Sequence, residues 1–239
     1  MFHPNGPTFW ELAEQALSST DRGYDLLAPK FDYTPFRTPD SLLEIAARRT
    51  KETGPIRRAL DVCCGTGAAM RAFRPLCEEA IVGLDRSAGM LAEAARRLQD
   101  APGTAPFSLV RGDALAMPFG REFDLATCFG AFGHILEEDE PRFVDAIARV
   151  LVPGGRFVFV TSELPPITSP ELWMARAFNA AMRIRNAILK PEFVMYYLTF
   201  LLPKCQRLLE ARGFEVKVEA GLFDKPFARL RLVTATLRS

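Results

Sequence analysis

The sequence is poor in the features that mark secreted, membrane-spanning and metal-binding proteins. Five cysteines occur in 239 residues, without a C-x-x-C pair, and only two histidines, which argues against a disulfide framework and a structural zinc site. No run reaches the roughly 18 apolar residues that span a bilayer, and the amino terminus lacks a basic stretch followed by an apolar core. We therefore predict a cytoplasmic protein with reduced thiols, no bound metal and no transmembrane segment.

Charge of one sign is not in excess either. The chain carries 30 basic and 29 acidic residues, a net charge of +1, so no long-range field would attract a polyanion. Nucleic acid is therefore disfavoured as a partner. With 239 residues the chain lies near the upper limit of what one hydrophobic core organises, and we expect a single domain.

Apolar runs and helical patterns alternate along most of the chain. A short helix is expected at 9–17, and a proline-rich stretch over 29–39 interrupts regular structure before a helix that Ser41 caps. Later runs suit buried parallel strands at 59–63, 80–84, 107–110, 123–128 and 156–161. Helical patterns separate them at 68–76, 87–98 and 140–151. This alternation predicts an α/β fold with a parallel sheet.

A glycine-containing turn follows the first predicted strand. In the segment Asp61-Val-Cys-Cys-Gly65-Thr-Gly67, glycines without a Cβ let main-chain N–H groups and the start of a helix face a bound polar group. Ligands of such folds bind above the carboxyl ends of the parallel strands. The motif is weak by itself, since such turns also occur for structural reasons alone.

Acidic residues follow the second and third predicted strands. Asp85 lies 20 residues after Gly65, about the separation expected for an acid that accepts hydrogen bonds from ribose hydroxyls. Ser87 is the better N-cap for the next helix and leaves that carboxylate free. Asp113 stands where an oxygen can accept a hydrogen bond from an adenine amino group. Three strand ends thus predict a nucleoside site.

The dinucleotide and phosphate-loop alternatives fit these residues less well. A G-x-G-x-x-G/A fingerprint needs a small residue where Met70 stands, and the loop G-x-x-x-x-G-K-[ST] is absent. A nucleoside without a phosphate chain is the better fit.

Five segments, taken together, carry a family resemblance. They are Ala59-Leu-Asp-Val-Cys-Cys-Gly-Thr-Gly67, Val82-Gly-Leu-Asp85-Arg-Ser-Ala-Gly-Met-Leu91, Gly112-Asp-Ala114, Phe123-Asp-Leu125 and Val150-Leu-Val-Pro-Gly-Gly-Arg156. The chain resembles the class I S-adenosylmethionine-dependent methyltransferases from about Tyr24 to its carboxyl terminus. Within that class it resembles the small-molecule branch that includes the ubiquinone and menaquinone biosynthesis methyltransferases.

The resemblance implies S-adenosylmethionine as the cofactor and assigns its contacts. Gly65 and Gly67 would cradle the methionine end, Asp85 would hold the ribose and Asp113 would contact the adenine. The other implied contacts are Asp61 near the methionine amino group, Met90 near adenine, Ala114 and Cys128 at the third and fourth strand ends, and Cys63. Cys63 departs from the family pattern, which commonly has a glycine there, and it adds a Cβ beside the ligand.

The family fold is a doubly wound, mostly parallel sheet of seven strands. Segments 214–218 and 230–236 would supply the last two strands as an antiparallel closing hairpin. The resemblance divides the single domain 1–239 into an N-terminal cap (1–40), a cofactor-binding core (41–163), a helical lid insertion (164–203) and a closing helix with hairpin (204–239).

Methyl transfer is an in-line attack on a sulfonium carbon, for which positioning and exclusion of water supply much of the rate. If the acceptor must lose a proton, His134 after the fourth strand is the predicted base. Tyr196, Tyr197 and Glu163 are the alternatives. Phe132, Tyr196 and Tyr197 are predicted to bind the acceptor, a small apolar or aromatic molecule.

The lid segment is rich in large apolar side chains. Met174, Phe178, Met182 and Ile188 fall roughly on one helical face, and we expect most of this stripe to be packed core. The alternatives are a pocket for the acceptor and a helix that lies on a membrane surface. A monomer and a homodimer are both compatible with the sequence.

Other functions of the same fold stay open. Enzymes that methylate base amino groups usually carry an Asn/Asp-Pro-Pro-aromatic turn after the fourth strand, where this chain has Cys128-Phe-Gly-Ala. Aminopropyl transfer would need several carboxylates for a polyamine, and the apolar lid supplies few. A non-catalytic protein that binds S-adenosylmethionine is compatible with the same motifs and is the alternative from another class.

Overall fold

The computed structural model describes residues 3–238, and its elements alternate in the predicted order. The helices are α1 Phe9–Leu17, α2 Thr20–Leu27, α3 Asp40–Lys51, α4 Ala68–Phe73, α5 Ala88–Leu98, α6 Glu140–Val150, α7 Pro170–Ile188 and α8 Lys204–Glu210. The strands are β1 Ile56–Val62, β2 Cys77–Asp85, β3 Phe107–Arg111, β4 Phe123–Cys128, β5 Leu151–Thr161, β6 Phe214–Glu219 and β7 Arg231–Leu237.

All seven strands form one sheet in the order β3-β2-β1-β4-β5-β7-β6. Strands β1 to β5 are all parallel to one another, whereas β7 is antiparallel to both β5 and β6. The predicted doubly wound sheet with an antiparallel hairpin is therefore confirmed. Because the chain runs outward from β1 to β3 and then returns to β4 beside β1, the strand order reverses at β1 and β4. A crevice opens at such a reversal, above the carboxyl ends of the strands.

Helices cover both faces of the sheet, so the strands are buried on both sides. Alternation along β1 sends Leu60 and Val62 into one core layer, with α6 and α8, and Ala59 into the other, with α3, α4 and α5. Asp61 follows this alternation and is 2% exposed. A carboxylate thus lies among the buried residues at the carboxyl end of β1.

Some predicted boundaries shift. α3 begins at Asp40, so Ser41 lies inside the helix instead of capping it. The fifth strand begins at Leu151, before its predicted start, because Leu151 pairs with Phe123 ahead of a register shift. The stretch 29–39 is not irregular throughout, since a 3₁₀ helix covers Ala28–Tyr33.

The predicted packing of the lid stripe is wrong for its outer members. Met174 and Ile188 on α7 are 69% and 73% exposed. Phe178 and Met182 are half-buried. The inner side of α7 buries Leu172 and Asn186 instead, so the helix packs on a side that carries few large apolar groups.

Among residues 3–238, no helix is both long and apolar enough to cross a bilayer. Within the same range no group of three or more histidine, cysteine, aspartate or glutamate side chains is arranged to hold a metal ion. All five cysteines are free thiols.

Candidate functional site

A cavity of about 490 Å³ lies above the carboxyl ends of β1, β2 and β4. The turns after these strands form one side of it, within 61–69, 85–90 and 129–134. The N-terminal segment 20–38 and the loop 195–199 form the other side. The cavity therefore joins the strand ends to two segments that are remote from them in sequence.

The turn after β1 has three residues in the left-handed region. Cys63, Gly65 and Gly67 have φ values of 58°, 52° and 80°. A Cβ built on Gly65 meets no atom within 4 Å, so this glycine presents bare backbone to open space. A Cβ on Gly67 would lie 3.3 Å from Ala94 Cβ of α5. Gly67 therefore allows helix packing and does not line the cavity, whereas Gly65 does.

The positive φ of Cys63 is a conformation that favours glycine, the residue that the resemblance implies at this position. A residue with a Cβ costs roughly 1–2 kcal/mol in the left-handed region. Cys63 adopts this conformation and lines the cavity.

Asp61 has one satisfied and one unsatisfied carboxyl oxygen. Oδ1 accepts a hydrogen bond from Thr127 Oγ1 at 2.7 Å. Oδ2 has no partner among the described residues, although it is buried, and Asp61 lines the cavity. Burial raises the pKa of Asp61 to about 7. An unpaired buried carboxyl oxygen is costly, and a cationic ligand group beside it would satisfy this atom.

Asp85 both organises the turn and faces the cavity. Its Oδ2 accepts from the Gly65 N–H at 2.8 Å and its Oδ1 from the Ser87 N–H at 2.9 Å. Ser87 caps α5 as predicted, since its Oγ accepts from the Met90 N–H at 3.0 Å. The carboxylate is thus not free of protein contacts, contrary to prediction. Because a carboxylate has about four acceptor positions, positions remain for ligand hydroxyls. Burial raises the pKa of Asp85.

His134 is held from both ring nitrogens. Nδ1 lies 2.6 Å from the Val194 carbonyl oxygen and Nε2 lies 2.7 Å from Tyr24 Oη. Since a carbonyl only accepts, Nδ1 carries the hydrogen, and Nε2 accepts from the Tyr24 hydroxyl. Burial lowers the pKa of His134 and raises that of Tyr24, so both groups are neutral near pH 7. Both line the cavity.

The predicted site residues divide into two sets. Nine line the cavity: Asp61, Cys63, Gly65, Asp85, Met90, Phe132, His134, Tyr196 and Tyr197. Four do not: Gly67, Asp113, Ala114 and Cys128. Ala114 and Cys128 are buried in the core layer that contains α6. The Asp113 side chain is 45% exposed, and its Oδ1 accepts from the Leu115 N–H at 2.9 Å. Glu163, an alternative base, is 69% exposed and lies outside the cavity.

The loop over the cavity is tied to α7 by two asparagines. Asn179 Nδ2 donates to the Tyr197 carbonyl, and Asn179 Oδ1 accepts from the Tyr197 N–H, both at 2.8 Å. The buried Asn186 makes the same pair of bonds to the Phe193 backbone at 3.1 Å. The inner side of α7 therefore sets the position of a cavity wall.

The same loop is anchored to the core at its far end. Phe200 stacks on Phe132 with ring centroids 4.6 Å apart, and its N–H donates to Oε1 of the buried Glu140 at 2.8 Å. The Tyr196 N–H donates to the Gly133 carbonyl at 2.8 Å. Phe132 and Tyr196, which the sequence predicts to bind the acceptor, are thus held in place by contacts that are not evident from the sequence.

The sequence analysis also did not identify the residues that the N-terminal segment 20–38 contributes to the cavity. Asp25 accepts hydrogen bonds from Ser87 Oγ at 2.6 Å and from the Gly89 N–H at 2.8 Å, so α2 is docked on the start of α5. Asp32 accepts from Thr66 Oγ1 at 2.6 Å and pairs with Arg97 at 2.6 Å. These contacts bring Tyr24, Phe31, Phe36 and Thr38 to the cavity. The only signal was the abundance of aromatic residues in the predicted cap.

Comparison with known proteins agrees with this geometry. Residues 59–155 match the family model described as a methyltransferase domain. The chain is 37% identical over 112 residues to a demethylmenaquinone methyltransferase of Shouchella clausii, covering 46% of each chain. It is 36% identical over 115 residues to a 2-phytyl-1,4-naphtoquinone methyltransferase of Thermosynechococcus vestitus, covering 47% of this chain and 49% of that one. The chain thus spans about half the length of the curated relatives it matches.

Solved structures resemble the fold over a longer stretch. The structure of a DhpI–SAH complex superposes with a TM-score of 0.65 at 20% identity, over 97% of this chain and 99% of that one. An O-methyltransferase family protein from Burkholderia thailandensis gives a TM-score of 0.69 at 12% identity, over 99% of this chain and 66% of that one. These likenesses show the fold.

Residues 59–155 are thus similar to a methyltransferase domain, and the whole chain has the fold of the solved structures named above. The relatives that match at 36% and 37% identity are both named as methyltransferases of quinone-type molecules.

Proposed function

We propose that the protein transfers a methyl group from S-adenosylmethionine to a small apolar or aromatic acceptor bound in the cavity. The observation that carries the proposal is the unpaired, buried Oδ2 of Asp61 beside the open backbone of Gly65. An ammonium group would satisfy that oxygen, and the bare turn leaves room for an amino-acid chain. Asp85 has acceptor positions for ribose hydroxyls. These residues fit the cofactor, which supplies a methyl group on a sulfonium that an acceptor attacks in line.

The acceptor side of the cavity supports an aromatic substrate. Seven aromatic side chains lie on the cavity walls: Tyr24, Phe31, Phe36, Phe129, Phe132, Tyr196 and Tyr197. Aromatic rings stack on or meet one another edge to face, and a planar acceptor would be held in the same way. The relatives named for demethylmenaquinone and for a phytyl-naphthoquinone support a reduced quinone or a related phenol as the acceptor class.

Tyr24 and His134 provide a path for the acceptor's proton. An acceptor hydroxyl that donates to Tyr24 Oη can pass its proton there while the Tyr24 proton moves to His134 Nε2, 2.7 Å away. The acceptor oxygen or its ring carbon then attacks with its electron pair, and His134 leaves the step protonated. The Val194 carbonyl holds Nδ1–H throughout, which fixes the tautomer needed for this transfer.

The activity is tested by release of S-adenosylhomocysteine from S-adenosylmethionine with a panel of quinol, phenol, amine and lipid acceptors. Turnover with a quinol or phenol is expected. Binding of the cofactor with no turnover on any acceptor would favour the non-catalytic alternative.

The proton path is tested with Tyr24→Phe, which keeps the ring and removes only the hydroxyl. We expect kcat to fall by about 100-fold or more, the range for loss of acid–base catalysis, while affinity for S-adenosylhomocysteine stays within twofold. Tyr33→Phe, a tyrosine in the same segment that does not line the cavity, is the control. An unchanged kcat in Tyr24→Phe would refute the path.

We further propose that the chain acts as one domain in the cytoplasm, as a monomer or homodimer, without nucleic acid as a partner. The balanced charge of the chain supports the absence of a nucleic-acid partner, and the continuous sheet supports a single domain. Gel filtration coupled to light scattering tests the oligomeric state.

A further inference from the structure

We propose that the outer face of α7 docks the protein on an anionic lipid surface. We define the outer face of α7 as Trp173, Met174, Ala177, Ala180, Ala181, Ile184, Ala187 and Ile188. All eight residues are exposed. At 3.6 residues per turn they fall within an arc of about 140°, and none of them carries a charge.

This arrangement reverses the usual order of a surface helix. A helix on a globular protein normally turns its apolar stripe toward the core and its polar side toward water. The inner side of α7 buries one large apolar residue, Leu172, and carries Asn179 and Asn186, which bind the backbone at Tyr197 and Phe193. Exposed contiguous apolar surface of this kind marks a site of interaction with a membrane or a protein.

Arginines border one edge of the outer face. Arg176 and Arg183 lie next to it on the helix and are exposed, and within residues 3–238 neither forms an ion pair with a carboxylate. The Arg176 guanidinium lies 5.1 Å from the centroid of the Trp173 ring. An apolar face with tryptophan and flanking arginines is typical of helices that lie in the interface of an anionic bilayer.

The apolar surface extends onto α1. Arg185 of α7 donates to the carbonyls of Ala16 and Ser18, at 3.0 and 2.9 Å, and so joins the end of α1 to α7. Leu17 at this junction is exposed. The chain has two tryptophans, Trp10 on α1 and Trp173 on α7, and they are 79% and 53% exposed. Tryptophan in soluble proteins is usually well buried and is enriched where a protein meets a membrane interface.

Charge favours lipid over a second copy of the chain. A two-fold dimer would place this face against itself, so arginine edges would meet without carboxylates of the same face to pair with them. Anionic headgroups complement those edges, and acyl chains accept the apolar side chains. Docking on lipid does not depend on the proposed function. Only one consequence of it does: the acceptor would enter the cavity from lipid next to the loop that Asn179 holds.

Vesicle binding tests the surface without any methyl transfer. The Trp10→Phe protein, in which Trp173 is the sole tryptophan, is mixed with vesicles of phosphatidylcholine alone or with phosphatidylglycerol added. We expect co-sedimentation with the anionic vesicles, a blue shift of Trp173 emission, and weaker binding at high salt. Adding Ile184→Glu and Ile188→Glu should lower the partition coefficient by about tenfold or more, because carboxylates would have to enter the interface.

The control is Val218→Glu, which places the same charge on an exposed apolar position of the edge strand β6 and should leave vesicle binding unchanged. Both Ile184→Glu/Ile188→Glu and the control should retain affinity for S-adenosylhomocysteine, which reports that the domain is folded. The proposal is overturned if the unmodified chain binds neither kind of vesicle, or if the double glutamate variant binds as well as the unmodified chain. A dimer that the double variant dissociates, without vesicle binding, would identify the face as a subunit interface and also overturn it.

Discussion

The buried carboxyl of Asp61 should lose its proton when the cofactor or S-adenosylhomocysteine binds. In the structure, burial raises the pKa of Asp61 to about 7, so the group carries a proton over much of the range below pH 7. An ammonium group beside the unpaired Oδ2 favours the charged form and lowers the pKa, as an opposite charge within about 4–6 Å does by roughly 1–3 units.

The magnitude of proton release follows from this pKa. A carboxyl of pKa about 7 is about nine-tenths protonated at pH 6 and about half protonated at pH 7. If binding lowers the pKa by about 3 units, the complex releases about 0.9 proton at pH 6 and about 0.5 at pH 7. The affinity for S-adenosylhomocysteine should therefore rise as pH increases toward 7 and level off above pH 7. Near pH 6, where about 0.9 proton is released, the rise should be nearly tenfold per pH unit.

Calorimetry of S-adenosylhomocysteine binding in buffers of different ionisation enthalpy measures the released protons directly. Asp61→Asn is the control, since it keeps the shape of the side chain and cannot release this proton. Asp85, whose pKa burial also raises, is present in both proteins, and its negative charge adds to the raised pKa of Asp61. If the unmodified protein releases no proton at pH 6, or if Asp61→Asn releases the same number, the assignment of Asp61 to the ammonium group is wrong.

The same pKa has a consequence for the ligand-free protein. Because the folded-state pKa lies above the ordinary value of 3.8, the protonated carboxyl favours folding. This contribution to the free energy of unfolding is fully present below about pH 4 and is lost as pH rises through about 7. Thermal unfolding of Asp61→Asn should lack this loss between pH 5 and 7.

Three further pairs of substitutions test the site and its support. Gly65→Ala and Gly154→Ala both place a Cβ in open space at positive φ and should each lower the free energy of unfolding by about 1–2 kcal/mol. Only Gly65→Ala should weaken S-adenosylhomocysteine binding, by about tenfold or more in a titration. Equal affinities of the two variants would contradict the role of the Gly65 backbone in binding. Asp85→Ala should weaken binding by about 1–3 kcal/mol and the more exposed Asp113→Ala by less, and the reverse order in calorimetry would move the nucleoside toward Asp113. Glu140→Ala should lower the free energy of unfolding by about 3 kcal/mol, because the Phe200 N–H and Lys204 lose their partner. Glu140→Gln keeps an acceptor and should lower it by less. Equal losses in a denaturant titration would contradict this account.

The elements that the sequence predicted well are those whose signals are local. The strand Phe123–Cys128 and the helix Phe9–Leu17 have the predicted bounds, since an apolar run or helical spacing lies between clear breakers. Ser87 caps α5 as predicted, because a cap depends on the next three residues only. Asp61 and Asp85 lie at the carboxyl ends of β1 and β2, so their approach to the crevice is a consequence of the parallel sheet.

The parts that the sequence did not predict depend on contacts between distant residues. Tyr24 meets His134, 110 residues away, and no local pattern identifies such a pair. Cys128 ends a strand as predicted, but its side chain enters the core, because one position along a strand decides which face a side chain takes. The outer face of α7 has the spacing of a packed stripe, and only the tertiary structure reveals that it is exposed.

The two sides of the cavity come from separate stretches of chain, the strand ends on one side and segments 20–38 and 195–199 on the other. Substitutions in the segments 20–38 and 195–199 can therefore reshape one wall of the cavity while the backbone of the strand-end turns stays in place. A chimera that carries the cap and lid of a related chain on this sheet would inherit its substrate preference from the donor of those segments. Residues 59–155, the part that matches the methyltransferase domain model, contain only the strand-end side of the cavity and leave its opposite wall undefined.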